Sequence, residues 1–352
     1  MKDRRNFLRF YDREDYEIEV PESDEQKKIP PPSFQREYSE DAELIDLVPP
    51  EDLKIGNTPF LKIVNNRKSR RKYTADPLSL EELSFLLWCT QGIKKVLRSG
   101  IGVRRTVPSS GAKSPFETYL VINRVTDLQP GLYRYISFNH KLLFIKSIED
   151  AEKIIGELSY NQNFVAKAPV IFYWTAVPYR TEWRYTILSH KFIAIDLGLI
   201  CQNLYMACEA INLGTCAIGY YEQNKIDKLF ELDTDEEFVV LLAPVGKYPV
   251  EKKVSEFFKL PKAEVNPSAL QRLLGFYANE KTKIEIFAKE NQLFVRMGSY
   301  EEPIKSFNET EFQGEYLKAV RFILTDKNKP EKLIALTTND DIVELMYQNP
   351  DS

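Results

Sequence analysis

Two clusters of polar residues stand out in this chain for the chemistry they could do. The first alternates cation, hydroxyl and cation: Arg67-x-Ser69-x-Arg71-x-Tyr73. The second is a small-residue loop led by an arginine, Arg105-Thr-Val-Pro108-Ser109-Ser110-Gly-Ala112. Between them they offer positive charge and many hydrogen-bond donors, which suit a phosphate and an electron-rich heterocycle. Pro and Gly set a tight backbone in the second cluster and turn two hydroxyls and free amides outward, the geometry of an anion or heterocycle site. No serine triad and no metal-ligand set accompanies them. The chemistry expected is that of a bound phosphorylated cofactor doing redox work.

Each cluster has a plainer reading. Arg67 to Lys72 is a basic run, and most such runs are solvated surface. Arg67 and Arg71 are four apart, so a helix would place both on one side and turn Ser69 elsewhere. Ser69 joins them only at a helix start or an irregular turn. The hydroxyl loop alone is an ordinary turn. Two further pieces add to the pattern. Leu213-Gly214-Thr-Cys-Ala217-Ile218-Gly219 has glycines that let a backbone lie flat against a planar ring. Pro244-Val-Gly-Lys247 puts a cation at the end of an apolar strand. No GxGxxG follows a strand and no GxxxxGK[ST] occurs, which disfavours a Rossmann site and a P-loop.

The elements that must hold these residues are legible. Residues 1–55 are polar and broken by Pro30-Pro-Pro32 and Pro49-Pro50, which predicts an extended arm wrapped on its own domain or a partner, or plain disorder. Residues 56–260 read as the main domain. Pro77-Leu-Ser79-Leu-Glu-Glu82 is a capping box that opens a helix with Leu83, Leu86, Leu87 and Thr90 as its buried stripe, and Gly92 stops it. Thr118–Val125, Val170–Val177 and Phe238–Val245 are strands. Lys191 to Ile211 is the strongest helix, with Leu197, Ile200, Cys201, Leu204, Cys208 and Ile211 at helical spacing and Gly214 as its stop. Its broad apolar face makes it either a core helix or a surface for a second subunit.

Residues 262–270 read as a linker. Beyond it, residues 268–352 form a small antiparallel β unit, with strands at Lys283–Phe287, Gln292–Arg296, Ala319–Leu324 and Lys332–Leu336 and polar turns at 289–291 and 326–330. Its Leu274-Gly-Phe-Tyr277 start resembles the small lipocalin-like barrels appended to some hydrolases, and it shows no catalytic set.

Bulk composition bounds the rest. The chain has 352 residues, 43% of them hydrophobic, enough for a sizeable core. Its 48 basic and 52 acidic residues leave a net charge of −4, which gives no support to nucleic-acid binding. Cys89, Cys201, Cys208 and Cys216 show no zinc spacing and read as buried thiols. With only His140 and His190, a histidine metal site is not expected. The first ten residues lack the apolar core of a signal peptide, and the apolar runs are strand-sized, so the default expectation is a cytoplasmic protein with no membrane span.

Taken in order, the four pieces resemble the nitroreductase superfamily, and within it the SagB-type (McbC-like) dehydrogenases. Leu80-Glu-Glu-Leu-Ser-Phe-Leu-Leu-Trp-Cys-Thr-Gln-Gly92, Pro130-Gly-Leu-Tyr-Arg-Tyr135 and Gln202-Asn-Leu204 carry the same resemblance, which spans about residues 30–250. It implies an α+β fold, a mixed and mainly antiparallel sheet flanked by helices, FMN as cofactor, and a homodimer with shared active sites. By resemblance, Arg67 and Ser69 hold the FMN phosphate or ribityl chain, Lys247 is a second phosphate cation, and Arg71 sits near the pyrimidine edge. Pro108, Ser109 and Ser110 reach the flavin from the other subunit, and Gly214, Ala217, Ile218 and Gly219 line the ring.

Azoline-oxidising relatives carry a Trp-Lys-Tyr-like stretch whose Lys and Tyr move protons. Here Trp183-Arg184-Tyr185 stands in its place. Tyr185 can donate or relay a proton, whereas Arg184 cannot act as a base near neutrality. His190 and Lys191 are nearby alternatives. A second departure is Leu199, where relatives often carry a polar residue. Three functions stay open: dehydrogenation of a peptide or peptide-like substrate with reoxidation by O2, alongside biosynthetic partner proteins; NAD(P)H-dependent reduction of nitro compounds or quinones; and non-catalytic binding on the same fold.

Overall fold

The computed structural model describes residues 20–348, except 98–99, 101, 250–257, 259–262, 264, 266, 291 and 339–340. The first nineteen residues of the expected arm and parts of the expected linker lie outside that set. Contacts divide the chain into two compact units, Met1–Pro249 and Val250–Ser352.

In the first unit the longer helices are α1 (Phe60–Asn66), α2 (Leu80–Gln91), α3 (Ala151–Leu158), α4 (Tyr179–Tyr185), α5 (Ser189–Ala210) and α6 (Gln223–Leu229), with a single helical turn at Asn163–Ala166. The strands are β1 (Leu44–Asp46), β2 (Ile93–Val96), β3 (Val103–Arg105), β4 (Phe116–Ile122), β5 (Gly131–Ile136), β6 (Lys141–Lys146), β7 (Val170–Ala176), β8 (Leu213–Thr215) and β9 (Phe238–Lys247). Seven of them form one antiparallel sheet in the order β1-β6-β5-β4-β7-β9-β8, while β2 and β3 pair separately. The fold is that expected: α+β, an antiparallel sheet between helices.

The central strands explain the sheet. Every residue of β4 and β7 is buried. Alternate side chains go to opposite cores: Phe116, Leu120, Ile122, Phe172 and Trp174 face α2 and α5, and Tyr119, Val121, Ile171 and Tyr173 face α3 and α6. A sheet covered on both faces needs apolar runs rather than alternation, and these runs were readable as strands for that reason.

Local signals set the helices that hold the site. Ser79 caps α2 with the full capping box: Glu82 N–H donates to Ser79 Oγ (3.1 Å) and Ser79 N–H to Glu82 Oε2 (2.7 Å). Leu83, Leu86, Leu87 and Thr90 are buried, and Gly92 ends the helix. The long helix α5 runs over Ser189–Ala210 and stops at Ile211 rather than at Gly214, which is inside β8. The turn to β8 comes two residues earlier because Asn212 takes the left-handed conformation (φ 58°), which asparagine tolerates.

Residues 179–210 are long and apolar enough, by length and composition, to match a membrane span. In the fold this stretch is broken into α4 and α5, and α5 packs on α2 with Asp196 and Glu209 buried in polar contacts.

The second unit is a closed barrel of eight antiparallel strands, β10 (Gly275–Ala278), β11 (Lys283–Lys289), β12 (Gln292–Met297), β13 (Tyr300–Ser306), β14 (Glu311–Gln313), β15 (Leu317–Leu324), β16 (Pro330–Thr337) and β17 (Ile342–Gln348), closed by β10 on β17. Side chains such as Tyr277, Val295, Phe312, Phe322 and Leu333 fill its interior, so it is a packed core. Buried Glu302 on β13 accepts three backbone N–H groups, from Glu315, Tyr316 and Leu317 (2.8–2.9 Å), which pins the turn into β15.

Candidate functional site

The first wall forms where α1 ends. Arg67 is its C-cap, with N–H to Ile63 O at 2.9 Å. The residues after it are irregular, so Arg67 and Arg71 do not share a helical face. The turn instead brings Arg67 and Ser69 onto Tyr205 of α5: the Arg67 guanidinium sits 5.5 Å from the ring centroid and Ser69 Oγ is 3.0 Å from Tyr205 Oη. Tyr205 Oη also accepts the Ala217 N–H (2.9 Å), which draws the Gly214–Gly219 segment to the same place. Burial raises the pKa of this phenol and keeps it neutral. Arg71 is exposed.

Arg70, which sequence reasoning passed over, anchors this wall. Its N–H donates to Thr215 O (2.9 Å), its guanidinium pairs with buried Glu209 (3.0 Å) and it stacks 3.7 Å from the Tyr248 ring centroid. Its methylenes occupy the space a Cβ on Gly214 would need, at 2.7 Å. Gly214 is therefore small to admit Arg70. Gly219, by contrast, is exposed with open space beside it. Lys247 ends β9 beside Gly214, and its ammonium is turned to Glu82 at 3.6 Å.

The second wall is the Pro108–Ala112 loop. Pro108 is exposed, and Ser109 and Ser110 are half-buried. Ser110 donates its N–H (2.9 Å) and its hydroxyl (3.1 Å) to Asp196 of α5. Gly111 turns left-handed (φ 58°), and a Cβ there would lie 2.6 Å from Tyr185 Oη. Tyr185 thus sits directly over the loop, its ring edge-on to Phe192 at 4.7 Å. Asp196 is a second residue that sequence reasoning missed. Its signal was one carboxylate inside Ile193-Ala-Ile-Asp196-Leu, an apolar stretch where a buried charge needs donors. Burial raises its pKa, and the two Ser110 hydrogen bonds oppose that shift.

Arg105 is not available to a ligand. It is buried, and donates to Gln91 O (2.9 Å), Ser137 Oγ (2.9 Å) and Phe34 O (3.4 Å). Arg184 pairs with Glu25 of the arm at 3.2 Å. His190 pairs with Glu182 at 3.0 Å. The four cysteines are free thiols, and burial lifts Cys89 and Cys201 to about 11.

Lys113, just after the loop, is buried with its ammonium 4.0 Å from the Trp183 ring centroid. Burial brings its pKa down to about 8, with Glu25 opposing the shift and Arg184 adding to it. The folded value lies below the unfolded one. Between about 8 and the ordinary 10.5 the unfolded chain holds a proton that the folded chain has lost, so stability rises with pH across that window. Wild type should therefore gain stability relative to Lys113→Met as pH rises from 8 towards 10.5. Urea midpoints of the two proteins against pH check this, and parallel curves would refute it.

The two walls stand at different places on one helix. Asp196 and Tyr205 are nine residues apart on α5, about 14 Å along its axis and half a turn around it at 100° per residue. A single copy therefore holds Ser110 and Ser69 on opposite faces of α5. Ile195, Gly198, Leu199 and Gln202 are exposed on that helix, and so are Phe60, Leu61 and Val64 on α1, which packs beside it. The donors of the first wall suit a phosphate: among the described residues, Arg67, Ser69 and exposed Arg71 carry no carboxylate partner.

The matches with known proteins fall on this unit. The chain belongs to the nitroreductase family, whose model matches residues 64–247. Members of that family are generally oxidoreductases. The chain is 30% identical over 185 residues to MJ1384 of Methanocaldococcus jannaschii, which has a provisional nitroreductase name; the match covers 53% of this chain and 89% of that one. It is 26% identical over 139 residues to the trifolitoxin-processing protein TfxB of Rhizobium leguminosarum bv. trifolii, covering 38% of this chain and 37% of TfxB. Among solved structures, a protein of Ralstonia eutropha JMP134, also provisionally named a nitroreductase, has the same fold at a TM-score of 0.50 and 24% identity, covering 63% of this chain and 96% of that one.

Proposed function

We propose that this chain is an FMN-dependent oxidoreductase of the SagB type, acting as a homodimer with two shared active sites. The reaction is dehydrogenation of a peptide or peptide-like substrate, azoline to azole in type. The observation that carries this reading is the half-turn between Ser69–Tyr205 and Ser110–Asp196 on α5. A two-fold through the exposed stripe of α5 brings the first wall of one copy to the second wall of the other, and buries apolar side chains that a monomer leaves in water.

When bound, FMN would supply a two-electron acceptor, with O2 as the final oxidant. Arg67 and Ser69 hold its phosphate or ribityl chain, with Lys247 as the second cation once it leaves Glu82. Arg71 would lie at the pyrimidine edge, where a fixed cation would favour negative charge. Ala217, Ile218 and Gly219 line the ring beside Gly214, and Pro108, Ser109 and Ser110 of the second copy close it. Tyr185, held over Gly111, relays the substrate proton. Arg184, paired with Glu25 at 3.2 Å and 5.7 Å from the Tyr185 ring centroid, orients Tyr185.

TfxB, named for processing trifolitoxin, supports the processing reading, and biosynthetic partner proteins are part of that proposal. MJ1384, named for nitro reduction, supports a second reading. In that reading the chain reduces nitro compounds or quinones with NAD(P)H. NADPH bleaches the flavin under the second reading and leaves it oxidised under the first.

The test is the absorption spectrum of the purified chain after incubation with FMN. A protein that stays colourless refutes both flavin readings and leaves non-catalytic binding. Arg71→Ala is expected to weaken FMN binding about 10-fold, the loss of one charge-assisted contact. Unchanged flavin content and reduction rate would remove Arg71 from the site.

A further inference from the structure

A groove of about 840 Å³ lies on the first unit between α4, the N-terminal half of α5, and the ends of β7 and β9. Its floor is apolar, made by Ala176, Ile193, Leu197, Phe238 and Val240. Its rim is acidic. Glu182 comes from α4, and Asp235 and Glu236 from the turn before β9. The Glu182 carboxylate is met by His190, while Asp235 and Glu236 are exposed. No cation is paired with either of these two among the described residues.

The volume falls in the range of roughly 300–1,000 Å³ usual for ligand sites. Apolar walls reward burial of apolar side chains. Two unneutralised carboxylates at the mouth favour a cation beside them and repel an acidic ligand. Position ties the groove to the chemistry: Glu182 and Tyr185 are three apart on α4 and so neighbours on its surface. Tyr185 lies outside the lining, and a chain leaving the groove over Glu182 along α4 heads towards it.

We propose that this groove holds an apolar peptide segment bearing a cationic side chain, whose charge meets Asp235 and Glu236. This rests on the peptide-substrate reading above and narrows it to a basic, apolar sequence class. An acidic peptide is rejected by the same rim. The groove also borders the exposed stripe of α5 through Ala194, so a second copy of this chain is the rival occupant.

The experiment uses the full chain loaded with FMN and two dye-labelled, end-capped hexapeptides. One has four apolar residues and two lysines, and its twin has glutamates for the lysines. The lysine peptide is expected to bind about 10-fold tighter, as two partly exposed charge contacts allow. Asp235→Lys with Glu236→Lys should erase that preference. Glu152→Lys with Glu157→Lys, exposed on α3 away from the groove, should leave it intact. Three results overturn the proposal: no preference in wild type, an equal loss in the α3 control, or conversion of dimer to monomer by the groove variant in sedimentation. Flavin content, read on every sample, reports separately on the cofactor. Selective peptide binding without flavin turnover would keep the groove and sink the dehydrogenase reading.

Discussion

Glu117→Ala is expected to cost about 3–5 kcal/mol, the typical penalty for breaking a buried ion pair from one side. Glu117 sits on β4 in the centre of the sheet, 4% exposed. One of its oxygens accepts both Arg180 Nη2 and the Arg36 N–H, each at 2.6 Å. Arg180 is itself buried, and its Nε and Nη1 have no hydrogen-bond partner among the described residues. Without Glu117 its charge is left in the interior with no carboxylate partner. The arm suffers too, because Arg36 is held from both ends: its guanidinium pairs with buried Glu237 (2.8 Å), and its carbonyl accepts Arg134 Nη2 (3.2 Å). A domain with a typical 5–15 kcal/mol of stability feels such a loss strongly. Chemical unfolding should show the drop, and limited proteolysis should show earlier cleavage within residues 20–43. Glu117→Gln keeps an acceptor and should cost less. A loss under about 1 kcal/mol in the alanine variant would mean that the Arg180 charge is met some other way.

That network shows where the sequence was legible and where it was not. The strands expected at Thr118–Val125 and Val170–Val177 run over Phe116–Ile122 and Val170–Ala176, and they could be read, bounds apart, because burial on both faces writes itself as an apolar run. The capping box at Ser79 could be read because it is local. Glu117, Arg180 and Arg36 could not, since pairs 63 and 81 residues apart leave no local pattern. The arm looked like a proline-broken polar segment. In the fold its residues 34–37 lie on four buried charged side chains of the sheet domain, Arg105, Arg134, Glu117 and Glu237.

The barrel shows the same limit. Four strands were plain from β-branched and aromatic residues, but β13 (Tyr300–Ser306) carries Glu301, Glu302 and Pro303 and reads as a loop. Its place is fixed by the hairpin to β12, which is local, and by the three N–H groups on Glu302, which come from 13, 14 and 15 residues away. In the candidate site, residue types were visible and partners were not. The spacing of Arg67, Ser69 and Arg71 is visible in the sequence, while Arg70, hidden between Ser69 and Arg71, packs on Gly214 and Glu209 to fix the wall. Asp196 was one acid in an apolar helix, and its meaning appears only once Ser110 is beside it.

The second large effect tests the two-copy site. Arg67→Ala with Arg71→Ala removes both cations of the first wall, and is expected to weaken FMN binding about 100-fold or more, from two charge-assisted contacts. Ser110→Leu removes a hydroxyl from Asp196 and puts a bulky group in the second wall, and should also lower flavin occupancy. If both walls belonged to one copy, mixing the two variants would restore nothing. If each site takes its first wall from one copy and its second from the other, subunit exchange repairs it. Random exchange makes half of the dimers mixed, and each mixed dimer has one intact site and one damaged on both walls. FMN-binding sites should thus return to roughly a quarter of the wild-type number, a consequence of two-fold symmetry alone. Equilibrium dialysis against FMN after mild denaturation and co-refolding counts them. No recovery, with dimers shown to have exchanged, would place both walls in one copy. The half-turn between Asp196 and Tyr205 on α5 argues for recovery: no side-chain rotation carries Ser110 around a helix to meet Ser69, and the exposed face between them is where a second helix can lie.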